Sequence, residues 1–343
     1  MSFQEVCGMA DYLKELCCLD AVSGDEGTVR DYIISKIDGK ADWHTDNLGN
    51  ILVFKKGKNR SVKKLLIDAH MDEVGFIISG VTADGFLKFH TVGGIDTAAI
   101  MFRQVRIGNV NGVICGTPIH LLSGEEKKKL PKPDSLYIDI GADSRETALK
   151  LVALGDRAVM CSEYREMGNK IKCKAIDDRV GCAILLSLIT NDSDYDFYAS
   201  FSVQEEVGLR GAKTAAFSVD ADSAIVLEAT TAADIADVDG AHRVCTLGDG
   251  PAVSFMDRAT VYDREYYRAA LESGIKCQSK SAVAGGNNSG SIHLSRGGVR
   301  TVAISVPCRY IHSASSVADK DDIKNAEILA KYMLDGICVG TIK

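Results

Sequence analysis

Two adjacent carboxylates, Glu205 and Glu206, follow directly after the apolar run 197–203. This run is rich in aromatic and β-branched residues, which favours a buried strand, and Gly208 then begins a turn into a predicted helix. The pair is therefore predicted at the carboxyl end of a core strand, the edge of an α/β sheet where ligands bind. Neighbouring carboxylates repel each other unless a cation lies nearby. Either the pair is a solvated strand end, or one glutamate binds a metal while the other transfers a proton.

Other predicted strands also end in side chains that could bind a metal or move a proton. These side chains are His70 with Asp72, Asp177 with Asp178, Glu228, and His312. Each signal is weak by itself, because a histidine at such a position is more often a hydrogen-bonded core residue and an aspartate can cap a helix. The carboxyl ends of strands in an α/β sheet converge on one rim, so we expect all of these side chains to lie together.

So many carboxylates at one point would repel each other strongly without cations. Two divalent ions that share a bridging carboxylate would neutralise them. Mixed imidazole and carboxylate ligands favour zinc, cobalt or manganese, and they disfavour calcium and magnesium, which prefer oxygen ligands. The sequence therefore predicts a two-metal site that polarises a carbonyl group and activates a water molecule.

The elements that must position these residues alternate between helices and strands. The predicted elements are a helix over about 4–18, a helix after the capping box 23–26 with Val29, Tyr32, Ile33 and Ile37 on one face, a hairpin over 43–46 and 51–54, strands over 64–70, 170–175, 223–228 and 299–307, and helices over about 180–188 and 321–334. This alternation is typical of an α/β fold.

The region from about 74 to 160 differs from the rest, because it consists of short alternating strands separated by turn signals. We interpret it as a β-rich lobe inserted into one α/β domain. The predicted domains are therefore a discontinuous α/β domain over 1–73 and 161–343 and an inserted β-rich domain over 74–160. A chain of 343 residues agrees with two domains of ~150 residues each.

Composition excludes several classes of protein. No apolar run approaches the ~18 residues that a membrane span requires. The net charge of −7 argues against nucleic acid or an anionic membrane as the main partner. The 11 cysteines are scattered and form no Cys-x-x-Cys pair, which favours reduced thiols, and no secretory signal is visible at the start of the chain. We therefore expect a soluble, cytoplasmic protein.

At the motifs that carry these residues, the chain resembles the dinuclear metallo-aminopeptidases of the tetrahedral aminopeptidase and glutamyl aminopeptidase family, some of which carry an endoglucanase label. The resemblance covers nearly the whole length. It rests on the segments 67–75 (IDAHMDEVG), 175–179 (AIDDR), 204–208 (QEEVG) and 307–312 (PCRYIH). The fold that the resemblance implies is α/β, a mixed-sheet phosphorylase/hydrolase-like catalytic domain with an inserted β-barrel-like dimerisation domain.

The resemblance also implies a ligand set for two divalent ions, with zinc or cobalt preferred and manganese as a further option. Asp177 would bridge the two ions. His70 and Glu228 would complete the shell of one ion, and Glu206 and His312 would complete the shell of the other. In this assignment all five residues are metal ligands.

Two more residues receive roles from the resemblance. Glu205 would be the general base that takes a proton from the attacking water and returns it to the leaving amine, and Asp72 would orient His70. The substrates would be short peptides that lose their amino-terminal residue. The β-rich lobe would form a dimer, and dimers would assemble into a hollow tetrahedral dodecamer.

Two positions depart from the commoner pattern of the family. Glu228 stands where many relatives have aspartate, so its extra methylene is expected to shift a metal or reshape the pocket. Asn288 stands where many have aspartate after two glycines, which removes a charge near the pocket. The remaining histidines lie outside the motifs, and we interpret them as structural or surface residues: His44, His90, His120, His242 and His293.

Two alternatives to an aminopeptidase remain at this point. A glycoside hydrolase needs two carboxylates across a sugar bond and no metal, which would leave both histidines without a role. A non-catalytic assembly protein would keep the metals for structure only, which leaves Glu205 without a role.

Overall fold

The computed structural model describes residues 8–283 and 285–343, so the start of the predicted first helix and Ala284 lie outside the described residues. The helices are α1 (Met9–Cys17), α2 (Gly27–Ile37), α3 (Thr97–Ile100), α4 (Arg145–Leu149), α5 (Ile176–Thr190), α6 (Arg210–Val219), α7 (Arg264–Leu271), α8 (Ser289–Ile292) and α9 (Lys320–Val339). Short 3₁₀ helices occur at Ile119–Leu121, Glu126–Lys128, Pro133–Ser135 and Gly240–His242.

The strands form one large mixed sheet and one closed barrel. They are β1 (Asp42–Thr45), β2 (Ile51–Lys55), β3 (Leu65–His70), β4 (Gly75–Val81), β5 (Leu87–Val92), β6 (Gln104–Ile107), β7 (Val110–Cys115), β8 (Tyr137–Asp139), β9 (Arg157–Met160), β10 (Arg165–Met167), β11 (Lys170–Cys173), β12 (Phe197–Ser202), β13 (Ser223–Thr231), β14 (Ala252–Val253), β15 (Gln278–Ser279), β16 (Arg300–Arg309) and β17 (Ser316–Asp319).

The centre of the large sheet is parallel. Its order is β1-β2-β12-β3-β13-β16-β17-β11-β10, and β3 runs parallel to both β12 and β13, while β13 runs parallel to β16. Parallel strands that are covered on both faces are continuously apolar, and β13 is buried from Ser223 to Thr230. The carboxyl ends of β3, β12, β13 and β16 therefore meet at one rim of the sheet.

Helices cover both faces of this sheet. Side chains alternate between faces along each strand. Leu65 and Ile67 of β3 pack in a core with α1, α2, α5 and α9, whereas Leu66 packs on the opposite face with α6 and α8. The large sheet is thus a rigid middle layer, and the side chains at its rim are held by elements buried on both sides.

The barrel is built from β4 to β9 in the order β4-β5-β8-β7-β6-β9, and it closes on itself. Its interior is a separate apolar core, in which Phe76 and Phe89 meet edge to face with ring centroids 5.1 Å apart. The barrel strands lie in the chain between β3 and β10, so the barrel is inserted into the large sheet. The predicted fold class is confirmed, whereas the division at residues 74 and 160 stays a prediction.

Two local predictions were wrong. The segment 23–26 is not a capping box, because α2 begins at Gly27 and Glu26 makes no capping hydrogen bond. The strand that contains Glu228 does not end there but continues to Thr231. In both cases the polar side chains are used in tertiary contacts near the rim. Among the described residues, no helix is long and apolar enough to cross a membrane.

Candidate metal centre

The predicted site residues come together at the rim of the sheet. Asp177 lies at the middle of the cluster, and its two carboxylate oxygens face different histidines: Oδ1 lies 3.2 Å from Nε2 of His70 and Oδ2 lies 3.3 Å from Nε2 of His312. Oε1 of Glu228 is 3.4 Å from Nε2 of His70, and Oε1 of Glu206 is 3.2 Å from Nε2 of His312. The arrangement is two groups of ligand atoms that share one carboxylate.

Among the described residues, three groups of possible metal ligands have ligand atoms within 4.8 Å of one another. They are His70 with Asp177 and Glu228, Asp177 with Glu206 and His312, and His70 with Glu205 and Glu206. The first two coincide with the two ligand sets that the resemblance implies. The third includes Glu205, whose Oε2 lies 4.0 Å from Nε2 of His70. The geometry thus places Glu205 within reach of one residue of each set, His70 and Glu206.

The histidine rings are oriented by main-chain carbonyls. Nδ1 of His70 lies 3.0 Å from the carbonyl oxygen of Asp72, and Nδ1 of His312 lies 2.7 Å from that of Gly94. A carbonyl oxygen only accepts, so each Nδ1 carries the proton that it donates. In a neutral ring, Nε2 then presents a lone pair toward the carboxylates, which is the arrangement of a metal ligand.

Asp72 is fully buried and fixes the backbone of the glutamate pair. Its Oδ1 accepts the N–H of Glu205 at 3.0 Å, and its Oδ2 accepts the N–H of Glu206 at 3.1 Å and the hydroxyl of Ser23 at 2.6 Å. The distance from Oδ1 to Nδ1 of His70 is 3.5 Å, longer than the contact of that nitrogen with the Asp72 carbonyl. Asp72 therefore positions both the glutamate pair and, mainly through its main chain, His70.

The turns that carry the site residues adopt unusual backbone conformations. Ala175, Gln204 and His312 have φ angles of 51°, 56° and 58°. Non-glycine residues in this left-handed region cost of order 1 kcal/mol or more each, and they persist where the surroundings hold them. Ala175 lies two residues before Asp177, and Gln204 lies directly before Glu205. His312 is itself a candidate ligand. The local strain coincides with the cluster.

A loop of the barrel region also reaches the site. Gly93 has a φ of +83°, and a Cβ there would lie 3.3 Å from Cβ of Glu206 and 2.7 Å from a methyl of Val74. Glycine allows this close approach, which brings the carbonyl of Gly94 onto His312. The inserted segment therefore contributes directly to the orientation of one candidate ligand.

Burial shifts the ionisation of the cluster. It raises the pKa of Glu228 to about 8 and raises the pKa of Glu205 and of Glu206. Burial also raises the pKa of Asp177, but hydrogen bonds from His312 and His70 lower it more, so the net shift is downward. For His312, burial lowers the pKa, whereas Asp177 and Glu206 raise it more strongly, to about 11.

Two physical causes, burial and the crowding of acids, raise the pKa values of these glutamates. Among the described residues, the ion pairs of the cluster's carboxylates are with His70 and His312. Without added cations the carboxylates must hold protons or force protons onto the histidines. Divalent ions can take the place of those protons, so the donor set fits two ions with imidazole and carboxylate ligands.

The two departures from the family pattern have different positions. Glu228 lies inside β13, and its Oε1 also accepts the N–H of Ala229 at 3.2 Å. Asn288 lies below the rim, where Nδ2 donates to Asp68 at 2.7 Å and to the hydroxyl of Ser202 at 2.8 Å. Burial raises the pKa of Asp68 to about 6. Asn288 thus supports the strands beneath the cluster and is not among the residues that line the pocket.

Sequence reasoning missed several residues at the site. Ser23 was assigned to a helix cap, and Gly94 and Lys280 carried no motif. Lys280 lines the same pocket as the cluster and is 8% exposed. Asp178 was predicted at the rim, but its carboxylate accepts the main-chain N–H groups of His70 and Gly181. The histidines outside the motifs belong to none of the groups of candidate metal ligands found among the described residues.

The chain matches a known protein family over most of its length. The family model described as M42 glutamyl aminopeptidase matches residues 49–329. A protein of Acetivibrio thermocellus, named as a candidate aminopeptidase, is 39% identical over 337 residues, which are 96% of this chain and 98% of that protein.

Solved structures agree over almost the full length. An aminopeptidase from the archaeon Desulfurococcus kamchatkensis superposes with a TM-score of 0.91 at 33% identity, covering 98% of both chains. The TET1 peptidase of Pyrococcus horikoshii, described as able to assemble into a tetrahedron or a large octahedral shell, has a TM-score of 0.83 at 32% identity and covers 95% of this chain and 99% of its own. The chain therefore belongs to the M42 glutamyl aminopeptidase family and is a peptide-bond hydrolase.

Proposed function

We propose that the protein is an aminopeptidase that removes the amino-terminal residue of short peptides, using two divalent metal ions and Glu205 as general base. The observation that carries this proposal is the position of Asp177. One buried carboxylate faces two histidines with its two oxygens, at 3.2 and 3.3 Å. A carboxylate in this position can bridge two cations, and among the described residues the ion-pair partners of its two oxygens are the two histidines.

Five residues would hold the ions. His70 and Glu228 would complete the shell of one ion, Glu206 and His312 would complete the other, and Asp177 would belong to both. Two such ions supply a Lewis acid for the scissile carbonyl and lower the pKa of a water molecule. Imidazole and carboxylate ligands suit zinc or cobalt, and manganese is a further option.

The roles of the chain's own groups follow from their positions. Glu205 is not needed in either ligand set, and its carboxylate lies beside both. It takes a proton from the attacking water and later donates it to the amine that leaves. Asp72 holds the main chain of Glu205 through its N–H, so the base is fixed before the substrate binds.

Metal removal and replacement tests this proposal. Protein stripped with a chelator should lose hydrolysis of aminoacyl chromogenic substrates, and zinc, cobalt or manganese should restore it at about two ions per chain, counted by elemental analysis. A soluble glucan serves as the substrate of the glycoside hydrolase alternative. Release of reducing sugar with no aminoacyl hydrolysis would overturn the aminopeptidase, and metal binding with neither activity would favour an assembly protein.

We also propose that the protein self-associates through the inserted region 74–160. Large apolar side chains are exposed there: Phe102, Ile119, Leu121 and Leu130 are 61 to 72% exposed. A dimer, and a tetrahedral dodecamer built from dimers, is the proposed assembly. Light scattering at micromolar concentration should give a mass above that of one chain, and a monomer would refute self-association.

The proposed location is the cytoplasm. The cysteines within the described residues are free thiols, as is usual in a reducing compartment. Fractionation of the source cells followed by immunodetection would test this, and recovery of the protein from an extracytoplasmic fraction would refute it.

A further inference from the structure

Two cysteines on different elements of the core lie in contact with each other. Cys17 ends α1 and Cys173 ends β11, 156 positions apart in the chain. The sulfur of Cys173 lies 3.6 Å from the carbonyl oxygen of Cys17, and the two thiols are hydrogen-bonded to each other. Both side chains are fully buried in the same apolar core. The proposed mechanism uses neither thiol, so the pair is available for chemistry of its own.

The pair differs from the other buried thiols of the described chain. Those thiols donate to main-chain carbonyls, and burial raises the pKa of each: Cys182, Cys245, Cys308 and Cys338. At Cys173 the hydrogen bond with the Cys17 thiol outweighs burial and, with a further one from Ser162, holds the pKa below its usual range. The thiolate is the nucleophilic form of cysteine. Cys173 is therefore the reactive member of the pair, and Cys17 is its partner.

Cys173 lies close to the surface although it is buried. Cys18, next to its partner in the chain, is exposed. Ser162 hydrogen-bonds to the thiol of Cys173, Tyr164 packs against the same core, and both are half-buried. Because these neighbours themselves contact solvent, a molecule as small as hydrogen peroxide reaches the sulfur after a small movement of their side chains.

We propose that hydrogen peroxide oxidises Cys17 and Cys173 to a disulfide and that this disulfide lowers the hydrolytic activity. The thiolate of Cys173 attacks one peroxide oxygen, the O–O bond breaks, and the other oxygen takes up a proton and leaves as water. The sulfur of Cys17 then attacks the sulfur of the sulfenic acid. The S–S bond forms, and the S–O bond breaks to release a second water molecule that carries the proton of the Cys17 thiol. The two thiols lose two electrons, and one peroxide gains them.

The end of β11 connects the cysteine pair to the metal cluster. Lys174 follows Cys173 and contacts both carboxylate oxygens of Glu73, at 2.6 and 2.8 Å. Glu73 adjoins Asp72, which accepts the N–H of Glu205 at 3.0 Å. A disulfide replaces a hydrogen-bond contact by a covalent bond, so the two sulfurs and the main chain that carries them move closer together. A misplacement of about 1 Å can lower a rate by about 10²-fold. This effect on activity rests on the proposed function, in which Glu205 is the base.

Non-reducing peptide mapping and kinetics on the same preparation test the proposal. Metal-loaded wild type treated with hydrogen peroxide should yield a linked peptide pair that contains Cys17 and Cys173 and lacks two hydrogen atoms. Its kcat for the aminoacyl p-nitroanilide that it hydrolyses fastest should fall at least ~10-fold, with no loss of metal by elemental analysis. Reduction with a phosphine should remove the link and restore the activity.

Cys338→Ser is the matched control. Cys338 is also fully buried, but it lies on α9 and its thiol donates to the main-chain carbonyl of Asp196 at 3.7 Å. This variant should lose activity with peroxide as the wild type does. Cys173→Ser and Cys17→Ala should be active before the treatment and keep their activity after it, because neither can form the disulfide. The two variants lie on different elements, so a folding defect in one leaves the other as the test.

The outcomes distinguish the two proposals. Absence of the linked peptide, a linked peptide with unchanged kcat, or an equal loss of activity in Cys173→Ser overturns the redox control and leaves the aminopeptidase standing. Failure of the reduced, metal-loaded wild type to hydrolyse any aminoacyl substrate overturns the aminopeptidase and, with it, the effect on activity. In that case the linked peptide still decides whether the disulfide forms.

Discussion

Two clusters of buried charge lie side by side in this protein, and they differ in how the charge is balanced. The metal cluster consists of His70, Asp177, Glu205, Glu206, Glu228 and His312. The second cluster, the ion network, consists of Glu73, Lys174 and Arg179. Glu73 follows Asp72 directly, and Arg179 lies two residues after Asp177. The two clusters therefore share the same turns of the chain.

The ion network contains its own cations. Nζ of Lys174 lies 2.6 and 2.8 Å from the two carboxylate oxygens of Glu73, and Nη2 of Arg179 lies 3.2 Å from one of them. Lys174 also contacts Asp20 at 3.2 Å, and Asp20 pairs with Arg106 of the barrel at 2.6 Å. Each carboxylate of the network has a basic partner, so the network is complete without any bound ion.

The metal cluster has carboxylates in excess, and within the described part of the chain their ion pairs are with His70 and His312. Buried charges are usually paired within the chain or by a metal ion. We therefore expect the ion network to contribute to the stability of the fold and the group of acids in the metal cluster to take up cations from outside.

The largest expected effect is a loss of catalysis, and it distinguishes the roles of Glu205 and Glu206. Glu205→Gln keeps the size of the side chain but removes the proposed base, so kcat should fall by about 10²- to 10⁴-fold while the metal content stays near that of the wild type. Steady-state kinetics and elemental analysis of the same preparation measure both quantities.

Glu206→Gln is the control for that variant. It should lower the occupancy of one ion, and added metal should recover part of the activity. If Glu205→Gln loses metal and is rescued by adding it, the two glutamates have the opposite roles.

The second largest expected effect is a loss of stability when the ion network is broken. Glu73→Gln removes the carboxylate that Lys174 and Arg179 share, although Lys174 keeps its contact with Asp20. Breaking a buried pair costs about 3–5 kcal/mol, so the free energy of unfolding should fall by that amount. Urea unfolding in the presence of a chelator measures it. Added metal should stabilise the wild type and Glu73→Gln equally, so the difference between them should remain.

Glu206→Gln under the same conditions provides the contrast. It removes one acid from a cluster that has too many, so the metal-free protein should be unchanged or slightly more stable. A loss as large as that of Glu73→Gln would mean that the two clusters are not different in kind.

A third prediction concerns stabilisation by metal. An ion that binds the folded state alone raises the free energy of unfolding by about 2.7 kcal/mol at a concentration of 100 Kd. The wild type and Glu73→Gln should both gain this stabilisation, and Glu206→Gln should gain less. Unfolding midpoints over a series of zinc or cobalt concentrations measure the gain, and absence of any gain in the wild type would refute the metal site.

The position of the metal cluster could be predicted from the sequence, because polar residues after apolar strands mark the rim of a parallel sheet. The sequence does not predict which of the polar residues pair with each other at that rim. Lys174 and Lys280 illustrate the limit: each directly follows a strand, β11 or β15, and nothing in the sequence distinguishes them. Only tertiary contacts show that the first belongs to the ion network and the second to the pocket wall.

The wrong prediction at 23–26 has the same origin. Serine and glutamate at this spacing fit a helix cap, and local rules favour that use. In the folded chain the hydroxyl of Ser23 donates to Asp72, and Glu26 accepts the N–H of Gln204 at 3.2 Å. Long-range partners at the rim outcompete the local cap, and they lie far away in the sequence.

The smallest predicted effect comes from a single pair of the kind found in the ion network. Asp234 accepts two hydrogen bonds from Arg309, both of 2.7 Å, close to the segment that carries His312. Burial raises the pKa of Asp234, but Arg309 and the N–H of Leu247 lower it more, so the net pKa lies below its usual value. Asp234→Asn should lower the free energy of unfolding at pH 7 by about 1–2 kcal/mol.

The pH dependence of that loss gives the sharper test. Because the pKa of Asp234 is lower in the folded state, its contribution is fully present above the pKa of the unfolded chain, about 3.9, and disappears as the pH falls through the folded value. The difference in unfolding free energy between wild type and Asp234→Asn should therefore be constant from pH 8 to 5 and shrink below about pH 4. Urea unfolding in chelator at fixed protein concentration measures it. A difference that persists undiminished at pH 3 would mean that the ionised pair of Asp234 and Arg309 is not its source. It would also contradict the expectation that a carboxylate paired with its own cation, as in the ion network, stabilises the fold.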